Sequence, residues 1–190
     1  DQFHILKNAE AYATGKLTDF NAVGVRASDG KLMFRYPRAA NNVANITTPV
    51  FFENKVFFTS AYDTGAGLVD LSVQNGEVKA KEIYFTREMK NHHGGVVLVG
   101  NHVYGHNDNG WVCQDFATGA EIWMNKSLGK GAVSSADGML YCLDERTGTL
   151  VLAEASPTAW KEISRFTLSP QTKIRSEKSI KNATTNTRVG

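Results

Sequence analysis

Along this chain apolar residues fall in short runs separated by Gly, Asn, Asp and Thr, and helix signals are sparse. Sliding the sequence against itself exposes one recurring unit: a strand, a polar turn, a second strand, a longer loop, a third strand, a tight turn and a fourth strand. The clearest copy opens at Gly94-Gly95-Val96-Val97-Leu98-Val99, turns at Gly100-Asn101 and continues through Val103-Tyr104-Gly105. It then loops over Asn107-Asp108-Asn109-Gly110, runs through Trp111-Val112-Cys113, turns at Thr118-Gly119 and ends in Glu121-Ile122-Trp123-Met124. Its turns carry Gly or Asn where positive φ is needed.

A copy before it uses Thr48 to Phe52, Val56 to Phe58, Leu68 to Leu71 and Lys81 to Phe85, with turns at Glu53-Asn54 and Asn75-Gly76. A copy after it uses Gly131 to Ser134, Leu140 to Leu143, Leu150 to Leu152 and Trp160 to Ile163. The second-strand anchors Val56, Val103 and Leu140 are 47 and then 37 residues apart, a spacing that repeats with variable loops allow. Upstream, Asn21 to Ala27 and Lys31 to Tyr36 read as the last two strands of another copy. Residues 1–20 are less patterned and are candidates for its remaining strands. Four antiparallel strands per unit predict an all-β fold, a β-propeller with about three and a half blades at roughly 1–40, 41–86, 87–128 and 129–168. Ser169 to Gly190 lacks aromatic residues and alternates poorly, so a disordered tail is expected there.

Composition fits this picture. The 190 residues suffice for one architecture with a sizeable core, and 42% hydrophobic with 21% charged residues is globular usage. Net charge is +2, but residues 169–190 carry +4, which leaves a body of −2. Such a body has no electrostatic footprint for nucleic acid. No apolar run approaches the length of a membrane helix, and residues 1–20 lack the regions of a secretory signal. Cys113 and Cys142 lack zinc-site spacing; both fall on strands, where a buried reduced thiol is the expected role and a disulfide stays open.

Asp115-Phe116-Ala117-Thr118-Gly119-Ala120-Glu121-Ile122-Trp123 resembles the repeat signature of quinoprotein-type propellers, Ala-x-Asp-x-x-Thr-Gly-x-x-x-Trp, with Cys113 in the first Ala place. Arg26 to Phe34 is a degraded copy with Phe34 in the Trp place, and Asp144 to Leu150 matches in turn chemistry alone. The resemblance covers roughly residues 20–168 and is similar in particular to the PQQ-binding-like propellers of bacterial extracytoplasmic proteins. Physically, Thr-Gly closes a hairpin, Asp bonds the turn amides, and the Trp docks on a neighbouring blade. That family holds quinone-dependent alcohol and sugar dehydrogenases and also non-enzymatic propellers, such as the lipoprotein that assists outer-membrane protein assembly, so fold alone does not decide activity. The resemblance implies a periplasmic or extracytoplasmic location, and it brings PQQ and calcium in as cofactors of the enzymatic branch. This chain has no adjacent cysteine pair like the one that covers the quinone there, and Trp111, Trp123 and Trp160 read as strand aromatics. The family also implies a ring of seven or eight blades. Poor strand character at both ends favours a piece of such a ring over a four-bladed ring closed by residues 1–20.

Topology alone picks out one constellation. In an up-and-down blade, the loop leading into the first strand and the loop joining the second and third lie on the same face of the ring. Asn91-His92-His93 and His106-Asn107-Asp108 therefore share one mouth, with Asn45, Tyr62, Asp63, Lys130 and Arg146 offered by adjacent blades. The candidate ligand-binding residues are His92, His93, His106, Asn107, Asp108 and Asn45. Imidazole and carboxylate there suit a divalent metal, acid–base chemistry or a small ligand such as a sugar. Asn, Asp and Gly are also ordinary turn residues, and if a strand began at His92 the two adjacent imidazoles would point to opposite sides. No Walker loop, nucleophile elbow, His-Glu-x-x-His or dinucleotide fingerprint occurs, so no catalytic residue is assigned. The expected function is a non-catalytic binding or assembly scaffold with a protein partner or small ligand at the mouth. A dehydrogenase fragment and a metal- or carbohydrate-binding propeller are the alternatives.

Overall fold

The structure, a computed structural model, describes residues 3–7 and 22–169. The expected tail at 170–190 and most of the weakly patterned segment before Ala22 lie outside the described residues. Every regular element described is a β-strand. Sheet I holds β1 (Phe3–Lys7), β2 (Ala22–Arg26) and β3 (Leu32–Tyr36). Sheet II holds β4 (Val50–Phe52), β5 (Lys55–Ser60), β6 (Gly65–Gln74) and β7 (Glu77–Thr86). Sheet III holds β8 (Val96–Val99), β9 (His102–His106), β10 (Trp111–Asp115) and β11 (Glu121–Asn125). Sheet IV holds β12 (Gly131–Ala136), β13 (Met139–Asp144), β14 (Thr149–Glu154) and β15 (Lys161–Thr167).

Each sheet is a meander of antiparallel neighbours in chain order, and the all-β propeller read from the sequence is the observed fold. The strands β6 and β7 run to ten residues each, beyond the expected pairing. The added length is held because Leu71, Val78 and Ala80 pack on Phe34 and Tyr36 of sheet I.

Sheet III packs against a neighbour on each face, and alternation along its strands sorts side chains between the two interfaces. In sheet III, Val103 and Val112 join Phe57, Leu68 and Met89 toward sheet II. Their neighbours Tyr104, Trp111 and Cys113 join Leu140, Cys142 and Val151 toward sheet IV. Both cysteines are free and buried in that second core, where burial raises the thiols to about 11 and about 12, so they stay protonated at neutral pH. Near the axis, β8 lies against both β4 and β12. The approach is close enough that a Cβ on Gly94 would lie 1.8 Å from the Gly131 carbonyl oxygen, which explains the glycines that open the copies of sheets III and IV.

The last pairing of every sheet carries a register shift at the same place. Two residues of the last strand oppose one of the third, and the extra residue is Met33, Ile83, Ile122 or Ile163. A bulge of this kind re-aims the next side chain. After Ile83 comes Tyr84, whose hydroxyl donates to the Phe116 carbonyl of sheet III at 3.0 Å. After Ile122 comes Trp123, whose indole Nε1 donates to the Ser156 carbonyl of sheet IV at 2.9 Å. Both acceptors sit in the loop between the third and fourth strands of the next blade. At Phe116 that loop is the signature turn: the Asp115 carboxylate accepts from the Thr118 amide and hydroxyl, each at 2.7 Å, and the Thr118 hydroxyl bond leads the causes that hold Asp115 below the usual Asp range. The docking Trp and the turn-bonding Asp expected from the motif are thus both present.

Replacing Trp123 with Phe removes the donor to Ser156 and shrinks the ring, and is expected to cost about 1–2 kcal/mol in a urea unfolding midpoint. Ile122→Thr at the exposed bulge should stay within about 0.5 kcal/mol.

Candidate functional site

The loops leading into β4, β8 and β12 meet the β5–β6, β9–β10 and β13–β14 loops on one face, as the topology required. Their foundation is a buried asparagine. Asn91 is 1% exposed; its Oδ1 accepts from the Thr47 hydroxyl at 2.7 Å, its Nδ2 donates to the His106 carbonyl at 3.0 Å, and its backbone N–H donates to the Thr59 hydroxyl at 3.1 Å. Thr59 in turn donates to the Met89 carbonyl. One side chain therefore fixes the loop before β8 to sheet II and to β9, and it sets the positions of the two residues that follow.

His92 and His93 come next, and both join one cluster. The segment is irregular and β8 begins only at Val96, so strand alternation does not separate them. Their rings lie 4.4 Å apart, with the two Nδ1 atoms at 2.8 Å. His92 Nε2 is 3.0 Å from the Tyr62 hydroxyl, and the Tyr62 ring stands edge-on to the imidazole. The Lys130 ammonium reaches His92 Nδ1 and an Asp108 carboxylate oxygen, each at 2.7 Å. His93 Nε2 contacts the Glu145 carboxylate. Three successive sheets are thereby joined by side chains at this face. Tyr62 and Asp108 hold backbone φ of 53° and 71°, a left-handed conformation that is costly for Tyr62 and common for Asp in turns.

The other predicted residues lie beneath or beside this cluster. His106 is buried, its Nδ1 accepts the Asp108 backbone N–H at 3.1 Å, and its ring stands edge-on to Trp111. Asn107 is buried and closes its own turn through Oδ1 to the Asn109 and Gly110 amides, while Nδ2 donates to the Glu88 carbonyl. Asn45 is buried in the loop before β4, bonded to Asn41 and Ser60, and does not reach the histidines. Sequence reasoning missed Glu145, hidden among turn residues 52 positions from its partner, and the Thr47–Asn91–Thr59 support. Asp63 faces Lys90 and Arg87 at 3.1 and 3.4 Å, and these cations hold its carboxyl below the usual range.

Burial, then the Lys130 charge, lowers the His92 pKa from its ordinary value, and burial lowers that of His106. Among the described residues no group of three or more His, Cys, Asp or Glu side chains could hold a metal ion. The ammonium of Lys130 within the cluster also disfavours a cation there. The residues likewise do not fit a quinone. Trp111 and Trp123 each pack on Trp160, at centroid distances of 6.2 and 6.0 Å, and both donate to backbone carbonyls, so these rings serve the packing between sheets III and IV.

The family described as outer membrane protein assembly factor BamB matches residues 5–125, more than half of the chain. The chain belongs to this family of PQQ-like propeller repeat proteins. The four-stranded repeat recurs in sheets II to IV, the docking outer-strand aromatic in sheets II and III, and the signature turn in sheet III. Among curated proteins, none matches the chain.

Asn91→Ala leaves the His106 carbonyl without its buried amide partner and removes the shortest acceptor of the Thr47 hydroxyl, and is expected to cost about 1–3 kcal/mol in equilibrium unfolding. The lowered His106 pKa gives a pH dependence of definite sign. The folded chain favours the neutral ring, so this contribution is whole above the ordinary value of 6.5 and is lost as pH falls from there toward the lower folded-state value. His106→Gln should flatten that part of the stability–pH curve; an unchanged slope counts against the assignment.

Proposed function

We propose that this chain is a non-catalytic scaffold of the bacterial cell envelope that holds a protein partner at the mouth face. The observation that carries the reading is the way the mouth is built. Its charged and titratable side chains bond to one another across three sheets, while apolar side chains are left facing solvent beside them. Val43 and Ile46, in the loop leading into β4, are 61% and 52% exposed, and Tyr62 is 49% exposed. That loop is bonded to the β5–β6 loop through Asn41 Nδ2 to the Ala61 carbonyl, and to the His92 segment through Thr47, so the three residues belong to one rigid surface. Exposed aliphatic and tyrosine side chains on rigid loops suit a protein contact. The family's description as an outer membrane protein assembly factor supports an envelope role, and the propeller supplies a binding platform.

The test places a photo-cross-linking residue at Val43 or Tyr62 in the full chain expressed in its own envelope. Discrete adducts are expected, and Val43→Asp/Ile46→Asp should weaken them about tenfold or more by removing apolar contact, with the far-ultraviolet circular dichroism unchanged. Adducts insensitive to that double substitution, or dye reduction with an alcohol on adding quinone and calcium, would contradict the reading.

A further inference from the structure

We propose that His92 is an acid-opened latch, which at neutral pH ties the β5–β6 loop to the loops leading into β8 and β12 and lets go when its ring gains a proton. The proposal concerns the state of this face and stands whatever partner docks there.

The hydrogen-bond pattern fixes which form of the ring the cluster accepts. The Lys130 ammonium is a donor only, and it lies 2.7 Å from His92 Nδ1. Nδ1 must therefore offer its lone pair. A neutral imidazole then carries its one proton on Nε2, which donates to the Tyr62 oxygen 3.0 Å away. His93 Nδ1 lies 2.8 Å from the same nitrogen. One nitrogen of His92 thus accepts from Lys130 of the loop before β12, and the other donates to Tyr62 of the β5–β6 loop. Adding a proton at Nδ1 sets N–H against an ammonium at bonding distance and removes the acceptor that Lys130 uses.

The groups around the ring are few. Tyr62 faces it from the β5–β6 loop, His93 from its own segment, Lys130 from the loop before β12, Asp108 from the β9–β10 loop, and Glu145 from the β13–β14 loop beyond His93. Asp108 and Glu145 favour the cation. Burial, Lys130 and His93 oppose it, and their sum prevails. Asp108 already binds Lys130 through Oδ1, which keeps that ammonium beside His92 Nδ1. Protonation accordingly expels the ring from the junction, and Tyr62, which rests edge-on against it at 5.0 Å, loses its support. Some ties remain closed in acid: Lys130 with Asp108 and Lys90 with Asp63 do not involve the ring. The opening is local, and the blades stay folded.

Amide hydrogen exchange of the full chain, corrected for the intrinsic effect of pH, tests this on peptides covering 60–66, 88–95 and 127–132. In the wild type, opening is expected to rise about tenfold per pH unit as pH falls below the ordinary imidazole value, until the lowered value of His92 is passed. His92→Gln keeps an acceptor for Lys130 and a donor for Tyr62 but cannot titrate, so its exchange should be flat across that range. A flat wild type overturns the proposal, as does a His92→Gln chain with the wild-type slope, or a slope abolished by His106→Gln and untouched by His92→Gln. If His92→Gln does not fold, imidazole nitrogen shifts of the wild type decide. A proton on Nε2 at neutral pH supports the latch, and a proton on Nδ1 overturns it.

Discussion

A blade that buries both of its faces has no stable existence alone, so the ring depends on whatever holds one sheet at a fixed distance from the next. In this chain that constraint is met by an aromatic side chain leaving the last strand of one sheet and ending on the next. The bodies of Tyr84 and Trp123 lie in the apolar interfaces while their polar tips donate to the Phe116 and Ser156 carbonyls. The bulge at Ile83 and Ile122 turns the following aromatic toward the neighbour. Sheets I and II use a variant: the Tyr36 hydroxyl donates to the Glu82 carboxylate at 2.7 Å, and Arg38 pairs with the same carboxylate while lying over the Phe85 ring.

The receiving turn must be as well defined as the side chain that reaches it. Asp115 and Thr118 close one such turn with side-chain bonds, and Gly119 adopts φ of 77° where a Cβ would run into the Tyr84 ring at 2.5 Å. The motif is thus a receptor for the previous blade's aromatic as much as a hairpin. The opposite face works by other means. There the loops are joined by polar contacts, with buried Asn91 below and the His92–Lys130–Asp108 junction above. Apolar interfaces set the distance between sheets, and polar loops set the shape of the surface they present.

The fold was largely legible because a propeller writes itself locally: strands, turn glycines and the Asp-to-Trp spacing all act within a few residues of one another. The mouth was legible as a place, since up-and-down topology puts His92, His93 and Asp108 on one face. Its wiring was not. Glu145 meets His93 across 52 residues, and Asn45 and Asn107 turned out to satisfy backbone groups in their own loops instead of facing the histidines. Identical residue types serve a turn or a site according to the backbone conformation they adopt, and neither periodicity nor spacing encodes that. The bulge was equally hidden, although the recurring Glu82-Ile83, Glu121-Ile122 and Glu162-Ile163 pairs mark it in retrospect.

The most direct measurement of inter-blade docking is a double-mutant cycle by urea unfolding, with Tyr84→Phe removing the donor and Asp115→Asn loosening the turn that presents its acceptor. Because one interaction passes through both residues, the two losses should fall short of additivity by about 0.5–1.5 kcal/mol. Strictly additive losses would mean that the aromatic and the turn act separately, and that the sheets are held in register by something else.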